Sequence, residues 1–224
     1  MLKLAKKWII LYNIHEIRSM VLYCAAERRG NVILASVQSD SLKAMVKLME
    51  LRDISTYLHC NKVAQYSKIL AAKISLSESE VELVTKSALI HDIGKMGIPE
   101  KILYKPGKLT DIEYEIIKKH TVLAIDTLSS TGLNDLIPSV VHHHEWYNGQ
   151  GYPTGLKGPN IPLYARIIAV ADVYDALTSP RVYRPTLTVE EAKKELLRVA
   201  GSQLDPELVR EFLEMEQILS QNTD

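Results

Sequence analysis

Ala88-Leu89-Ile90-His91-Asp92-Ile93-Gly94-Lys95 carries an apolar run straight into an imidazole, a carboxylate and an ammonium. Val84, Ala88 and His91 share a helical face, so His91 and Asp92 are expected where a helix dives into a core. A carboxylate in such a place is costly unless something positive neutralises it. Gly94 and Gly97 let the backbone turn away closely, and Pro99 stops any continuation. Taken alone, the His-Asp pair also fits a helix end with a solvated Asp92–Lys95 contact. The other histidines decide between the two.

Outward from this stretch the pattern is helical. Ser77-Glu78-Ser79-Glu80 reads as a capping box opening the helix that ends at His91-Asp92. Upstream, Ser39 or Asp40 caps a helix with Leu42, Met45, Val46 and Met49 on one face. Arg52-Asp53 interrupts it, and Tyr57 to Lys73 continues with His59, Val63, Tyr66 and Leu70 inward. Downstream of a Gly/Pro-rich connector, Thr110-Asp111-Ile112-Glu113 is a second capping box. Its helix is expected to carry Ile112, Ile116, His120, Leu123 and Thr127 along one side as far as Gly132. Leu136 to His144 follows, with Pro138 tolerated in the first turn. Leu163 to Leu177 is a buried helix whose charges are Arg166, Asp172 and Asp175. Thr188-Val189-Glu190-Glu191 caps the next helix, and Asp205-Pro206 opens the last.

Glu145 to Pro162 differs in kind. Its turns are too long for a plain connector, and Trp146, Tyr147 and Tyr152 argue for a functional loop. No strand is expected after residue 40. The fold class is therefore all-α: a helical bundle over residues 41–224, with residues 1–40 as an N-terminal appendage. Within the appendage, Trp8 to Ala26 reads as a helix and Val32 to Val37 as a run of strand type. It is expected to pack on the main domain, on a second copy or on a partner domain.

Composition narrows the classes of function. The 224 residues hold 27 Lys+Arg and 27 Asp+Glu, so nothing favours a nucleic-acid polymer as partner. Cys24 and Cys60 make no CxxC pair and are expected as free buried thiols in a reducing compartment. Cys60 follows His59 directly and should point about 100° away on a helix, a poor co-ligand. Lys3, Lys6 and Lys7 precede an apolar stretch, but Asn13, His15, Glu16 and Arg18 interrupt it too early for a membrane span or signal core. The expected location is the cytoplasm.

A single histidine on an apolar face is more often a hydrogen-bonded core residue than a ligand. Here His59, His91, His120, His143 and His144 all lie on apolar faces or at helix ends, together with Asp92 and Asp172. Asp172 stands inside the apolar run Ala169-Val170-Ala171-Asp172-Val173, and a pair of cations satisfies every one of these groups at once. Imidazole and carboxylate without thiolate suit Fe, Mn, Zn or Co. The group is too large for one tetrahedral ion, which points to two metals roughly 3.5–4 Å apart, the arrangement used for displacement at phosphorus. Lys95 is placed to hold a phosphate oxygen. His15 and His142 lack such a context.

His91-Asp92-Ile93-Gly94-Lys95, His143-His144-Glu145, Gly151-Tyr152-Pro153 and Ala171-Asp172-Val173-Tyr174-Asp175-Ala176-Leu177-Thr178-Ser179 together resemble the HD-GYP family of bacterial cyclic-di-GMP phosphodiesterases, within the HD metallohydrolase superfamily. The likeness spans about residues 42–215. It implies an HD-superfamily helical bundle with a binuclear centre of two divalent transition metals, Fe or Mn ahead of Zn, Co or Ni. A hydroxide bridging them would attack phosphorus, giving linear pGpG and, in many family members, GMP; which of the two is the final product stays open. It implies that His59, His91, Asp92 and Asp172 surround one metal and that His120, His143 and His144 surround the other, with Asp92 bridging. Lys95 would offset phosphoryl charge, Tyr152 would pack on a guanine, and Arg181 and Arg184 would contact phosphate or base. Asp175 would orient ligands from behind. Some family members carry a Glu one turn before the first histidine and hold a third metal; Ser55 stands there, so two are expected. Trp146-Tyr147-Asn148 replaces the family's Arg-Trp-Asp. Residues 1–40 would serve dimerisation or be the remnant of a sensor, with a diguanylate cyclase or sensor domain as partner. Two alternatives stay open: another cyclic dinucleotide as substrate, and a signalling module that binds nucleotide or partner without turnover.

Overall fold

The computed structural model describes residues 39–179 and 186–221. The helix expected over Trp8 to Ala26, the run Val32 to Val37, Cys24, Arg181 and Arg184 lie outside the described residues. Within them the chain is helical, with an isolated bridge between Ala200 and Leu204 as the extended pairing.

Helix α1 (Asp40–Arg52) starts where the Ser39 side chain accepts from the Leu42 amide, and it buries Leu42, Met45, Val46 and Met49. Asp53 both ends it and begins α2 (Ile54–Lys73). Its amide donates to the Met49 carbonyl, while its carboxylate accepts from the Ser55 and Thr56 amides. A single residue thus makes the expected interruption. Helix α2 packs against α1, α3 (Glu78–Leu89), α8 (Leu163–Thr178) and α10 (Pro206–Gln221). The capping boxes at Ser77/Glu80, Thr110/Glu113 and Thr188/Glu191 all form, opening α3, α5 (Asp111–Lys118) and α9 (Val189–Val199). One end of the core gathers Leu70, Val84, Ile167, Val170, Leu196 and Phe212. There Tyr66, Tyr174 and Phe212 meet edge to face, the ring centres of Tyr174 and Phe212 4.9 Å apart. The other end is polar, and there the histidines meet.

Helix α3 stops at Leu89, so His91 and Asp92 sit in the turn that follows rather than on the helix. A single 3-10 turn, Ile93–Gly97, and the short α4 (Glu100–Leu103) come next. The long amphipathic helix expected from Thr110 to Gly132 is instead two helices, α5 and α6 (His120–Ser130), divided at Lys119. The Lys119 amide bonds to Ile116 and Ile117 carbonyls in a tight turn that breaks the helical phase. His120 and Ala124 go inward, whereas Ile112 is 76% exposed and α5 buries none of its residues. The next helix is shorter than expected: a 3-10 turn at Asn134–Leu136 leads into α7 (Ile137–His142), with Pro138 in its first turn.

Gly94 lets the turn after Asp92 lie against α6. A Cβ there would fall 1.8 Å from the His120 carbonyl oxygen. From the other side Arg52 donates to the carbonyls of Lys95 (3.2 Å), Ile98 (2.9 Å) and Met96, tying the end of α1 to the same turn. Gly94→Ala should therefore cost about 1–3 kcal/mol or more, the range for overpacking. Gly97→Ala meets a movable Leu123 methyl and should cost less. Urea unfolding of the two variants checks this; equal midpoints would contradict the close approach.

Candidate metal centre

Five segments deliver the polar cluster: α2 brings His59, the turn after α3 brings His91 and Asp92, and the first residue of α6 is His120. The turn closing α7 brings His143 and His144, and the middle of α8 brings Asp172. Ligand atoms of Asp92, His120, His143 and His144 all lie within 4.8 Å of one another, and so do those of His59, His91 and Asp172. Asp92 reaches both groups. Its Oδ1 is 3.5 Å from His120 Nε2, and its Oδ2 is 3.5 Å from His91 Nε2.

A repeated local device aims the imidazoles. Nδ1 of His91, His120 and His143 donates to the carbonyl three residues earlier, Ala88, Ile117 and Val140, at 2.6–2.7 Å. That bond fixes the proton on Nδ1 and leaves Nε2 bare toward the cluster. His59 is held differently: Nδ1 lies 2.6 Å from Asp175 Oδ2 and Nε2 lies 3.0 Å from Asp172 Oδ1. Ser179 Oγ donates to the other Asp175 oxygen, so this carboxylate is itself oriented. Lys95 Nζ sits 2.5 Å from Asp92 Oδ2 across the 3-10 turn.

The cluster suits a metal on its own evidence. His91 Nε2 and Asp92 Oδ1 are buried and have no hydrogen-bond partner, although buried polar atoms are nearly always paired. Divalent cations held by the two ligand groups would supply what is missing. The protonation pattern points the same way. Burial lowers the pKa of His91, His120 and His143, and lowers that of His144 to about 3, so these four are neutral imidazoles, the form a metal takes. Burial opposes the charge on Asp92, yet Lys95, His91 and His120 outweigh it and hold the carboxyl well below its usual range. In His59, burial opposes the proton, but hydrogen bonds to Asp172 and Asp175 raise the pKa to about 9.

Two features escaped the sequence. Cys60 was expected to point away, but its sulfur lies within 4.8 Å of ligand atoms of His91 and Asp92. The turn after α3 wraps around the side of α2, so a residue 100° from His59 still borders the cluster. The second is Glu145, whose buried carboxylate organises the long loop. It accepts from the amides of Thr154, Gly155 and Leu156 and from the Thr154 hydroxyl, at 2.7–3.1 Å. The triplet His143-His144-Glu145 was the available signal, but sequence gives no hint of three amides converging on one side chain nine to eleven residues away. Gly151 completes the fit, since a Cβ there would lie 2.1 Å from the Trp146 amide nitrogen. The loop thereby sets the Tyr152 ring 4.9 Å from the His144 ring and 6.5 Å from that of His120. His142, left outside the cluster, lies 3.4 Å from Glu145. Ser55 stands in the first turn of α2, its amide on Asp53.

Comparison with known proteins places this geometry. The HD domain family matches residues 34–208. A protein of Vibrio cholerae serotype O1 named "Probable cyclic di-GMP phosphodiesterase" is 40% identical over 201 residues, which is 82% of this chain and 46% of that protein. A second from the same organism, named "3'3'-cGAMP-specific phosphodiesterase 2", is 36% identical over 186 residues, covering 82% of this chain and 36% of its own length. The chain thus spans less than half of either relative. Among solved structures, an HDG"Y"P protein from Bdellovibrio bacteriovorus superposes with a TM-score of 0.60 at 21% identity, over 74% of this chain and 53% of that one. Its likeness is one of fold. An HD domain implies divalent-metal binding, and the clusters described above are residue groups able to hold an ion.

Buried His91, His120 and His143, with half-buried His144, predict the acid behaviour of the metal-free protein. Unfolded, each takes up a proton near pH 6.5; folded, each stays neutral to a lower pH. Stability present above pH 6.5 is therefore lost as the pH falls from there toward about 3, the value for His144. Melting temperatures of chelator-treated protein should drop through this window, and a flat profile would contradict neutral burial.

Proposed function

For a chain that belongs to the HD domain family and joins two ligand groups at one buried carboxylate, we propose metal-dependent hydrolysis of cyclic-di-GMP to linear pGpG and onward to GMP. The observation that carries this is the position of Asp92, within reach of both groups and with one oxygen unpartnered. His59, His91, Asp92 and Asp172 would hold one ion and His120, His143 and His144 the other, Asp92 being shared. The donor set suits two divalent first-row metals, Fe or Mn ahead of Zn, Co and Ni. Such a pair, when bound, supplies Lewis acidity and an activated water for displacement at phosphorus.

The chain's own groups do the rest. The bonds from Nδ1 to backbone keep three imidazoles from rotating, so the site is organised before substrate arrives. Asp175 holds His59 in one tautomer. Lys95, resting on Asp92, places an ammonium where charge gathers on phosphoryl oxygens. Tyr152, whose ring lies 4.9 Å from that of His144, would pack against a guanine, with Arg181 and Arg184 as phosphate or base contacts. Residues 1–40 are proposed as a dimerisation element or sensor remnant beside a catalytic domain over 41–224, with a diguanylate cyclase or sensor domain as partner. No helix among the described residues is long and apolar enough to cross a membrane, and action in the cytoplasm is proposed.

A second substrate has an observation in its favour. The relative named for 3'3'-cGAMP matches almost as well as the one named for cyclic-di-GMP. Both nucleotides should therefore be supplied to Fe- or Mn-loaded protein and the products followed by chromatography. Release of pGpG and GMP from cyclic-di-GMP is expected, with the rate falling at least about a hundredfold in Asp92→Asn, more than loss of an outer partner costs a metal site. Metal-loaded protein that releases neither product would refute the proposal; faster turnover of 3'3'-cGAMP would reassign the substrate.

A further inference from the structure

Helix α5 contributes only half-buried residues, Ile116 and Ile117, to the packing. It buries none of its residues, and Tyr114 on it is 47% exposed. Yet α5 is not isolated from the site. Lys118, one turn after Tyr114, sets its ammonium 4.9 Å from the centre of the Tyr114 ring and 5.5 Å from that of Tyr152. Both distances are those of a cation attracted to a ring face. Tyr152 in turn rests on His144 and approaches His120. An aromatic–cation–aromatic run therefore leads from solvent to the ligand group formed by Asp92, His120, His143 and His144. The anionic partner of Lys118 is Glu115 at 2.6 Å, whose side chain is 65% exposed. A surface pair of this kind contributes little, so the ammonium can change partners at small cost.

A cyclic dinucleotide carries two phosphates and two bases, and one phosphodiester is cut at a time. The uncut phosphate and its purine must lie outside the metal groups, where a cation and an aromatic face are the chemistry that recognises them. We propose that Lys118 and Tyr114 form the subsite for this uncut half, Lys118 pairing with the second phosphate and Tyr114 stacking on its purine. The assignment rests on the phosphodiesterase function proposed above. It gives α5 a reason to keep Tyr114 and Lys118 at the rim while Ile116 and Ile117 are only half-buried.

A substrate with a single phosphate separates this subsite from the site of cleavage. Metal-loaded protein is assayed with cyclic-di-GMP and with bis(p-nitrophenyl) phosphate, and the ratio of the two kcat/KM values is taken. Lys118→Gln should lower that ratio at least about tenfold, mostly through the KM for cyclic-di-GMP, and Lys118→Arg should keep most of it. Tyr114→Ala should lower it by about tenfold, the usual loss when a base loses its stacking partner. Thermal melts of each variant, matching the parent, exclude a folding defect. An unchanged ratio, or equal losses on both substrates, overturns the subsite while leaving the phosphodiesterase standing. Failure of the unsubstituted protein to cleave cyclic-di-GMP overturns the function and the subsite together.

Discussion

Asp92 is a carboxylate where a carboxylate is hardest to keep. It is buried, it lies against two imidazoles, and one oxygen has no hydrogen-bond partner. Lys95 relieves part of the cost through a direct contact, but the ammonium reaches only Oδ2. The remaining oxygen, Oδ1, faces His120, and His91 Nε2, 3.5 Å from Oδ2, is bare as well. Unpaired charge and unpaired nitrogen in one dry place are expensive for a fold and useful for a cation. The rest of the domain serves to keep them together.

The backbone does so by close approach. Gly94 allows the turn after Asp92 to touch the first carbonyl of α6, which sets His120 against Asp92. Arg52 clamps the far side of that turn from the end of α1. The long loop follows the same principle with a side chain at its centre. Glu145 collects three amides and a hydroxyl, Gly151 admits the Trp146 backbone, and Tyr152 is thereby laid over His144. The His/Asp cluster and the loop are thus positioned by residues outside the cluster.

Local chemistry was legible in the sequence and long-range geometry was not. The three capping boxes, the Asp53 break and the buried run around Asp172 are written in contiguous residues, and each forms as expected. The histidines on apolar faces do converge, because a polar residue on such a face has few other places to go. The stripe from Ile112 to Thr127 misled: its spacing suits one helix, but the tight turn at Lys119 resets the phase and leaves Ile112 in solvent. Cys60 and Glu145 depend on segments far apart in the chain, the turn after α3 wrapping α2 and the loop folding back on α7. Neighbouring residues carry no record of that.

The central claim is that Asp92 joins two ligand groups and that each holds one divalent ion. Metal analysis of protein purified without oxygen, with Mn reconstitution of a chelated sample, tests it most directly. The account predicts about two metal ions per chain, falling in Asp92→Asn as both groups lose their shared ligand. One ion per chain, or none after reconstitution, would contradict it.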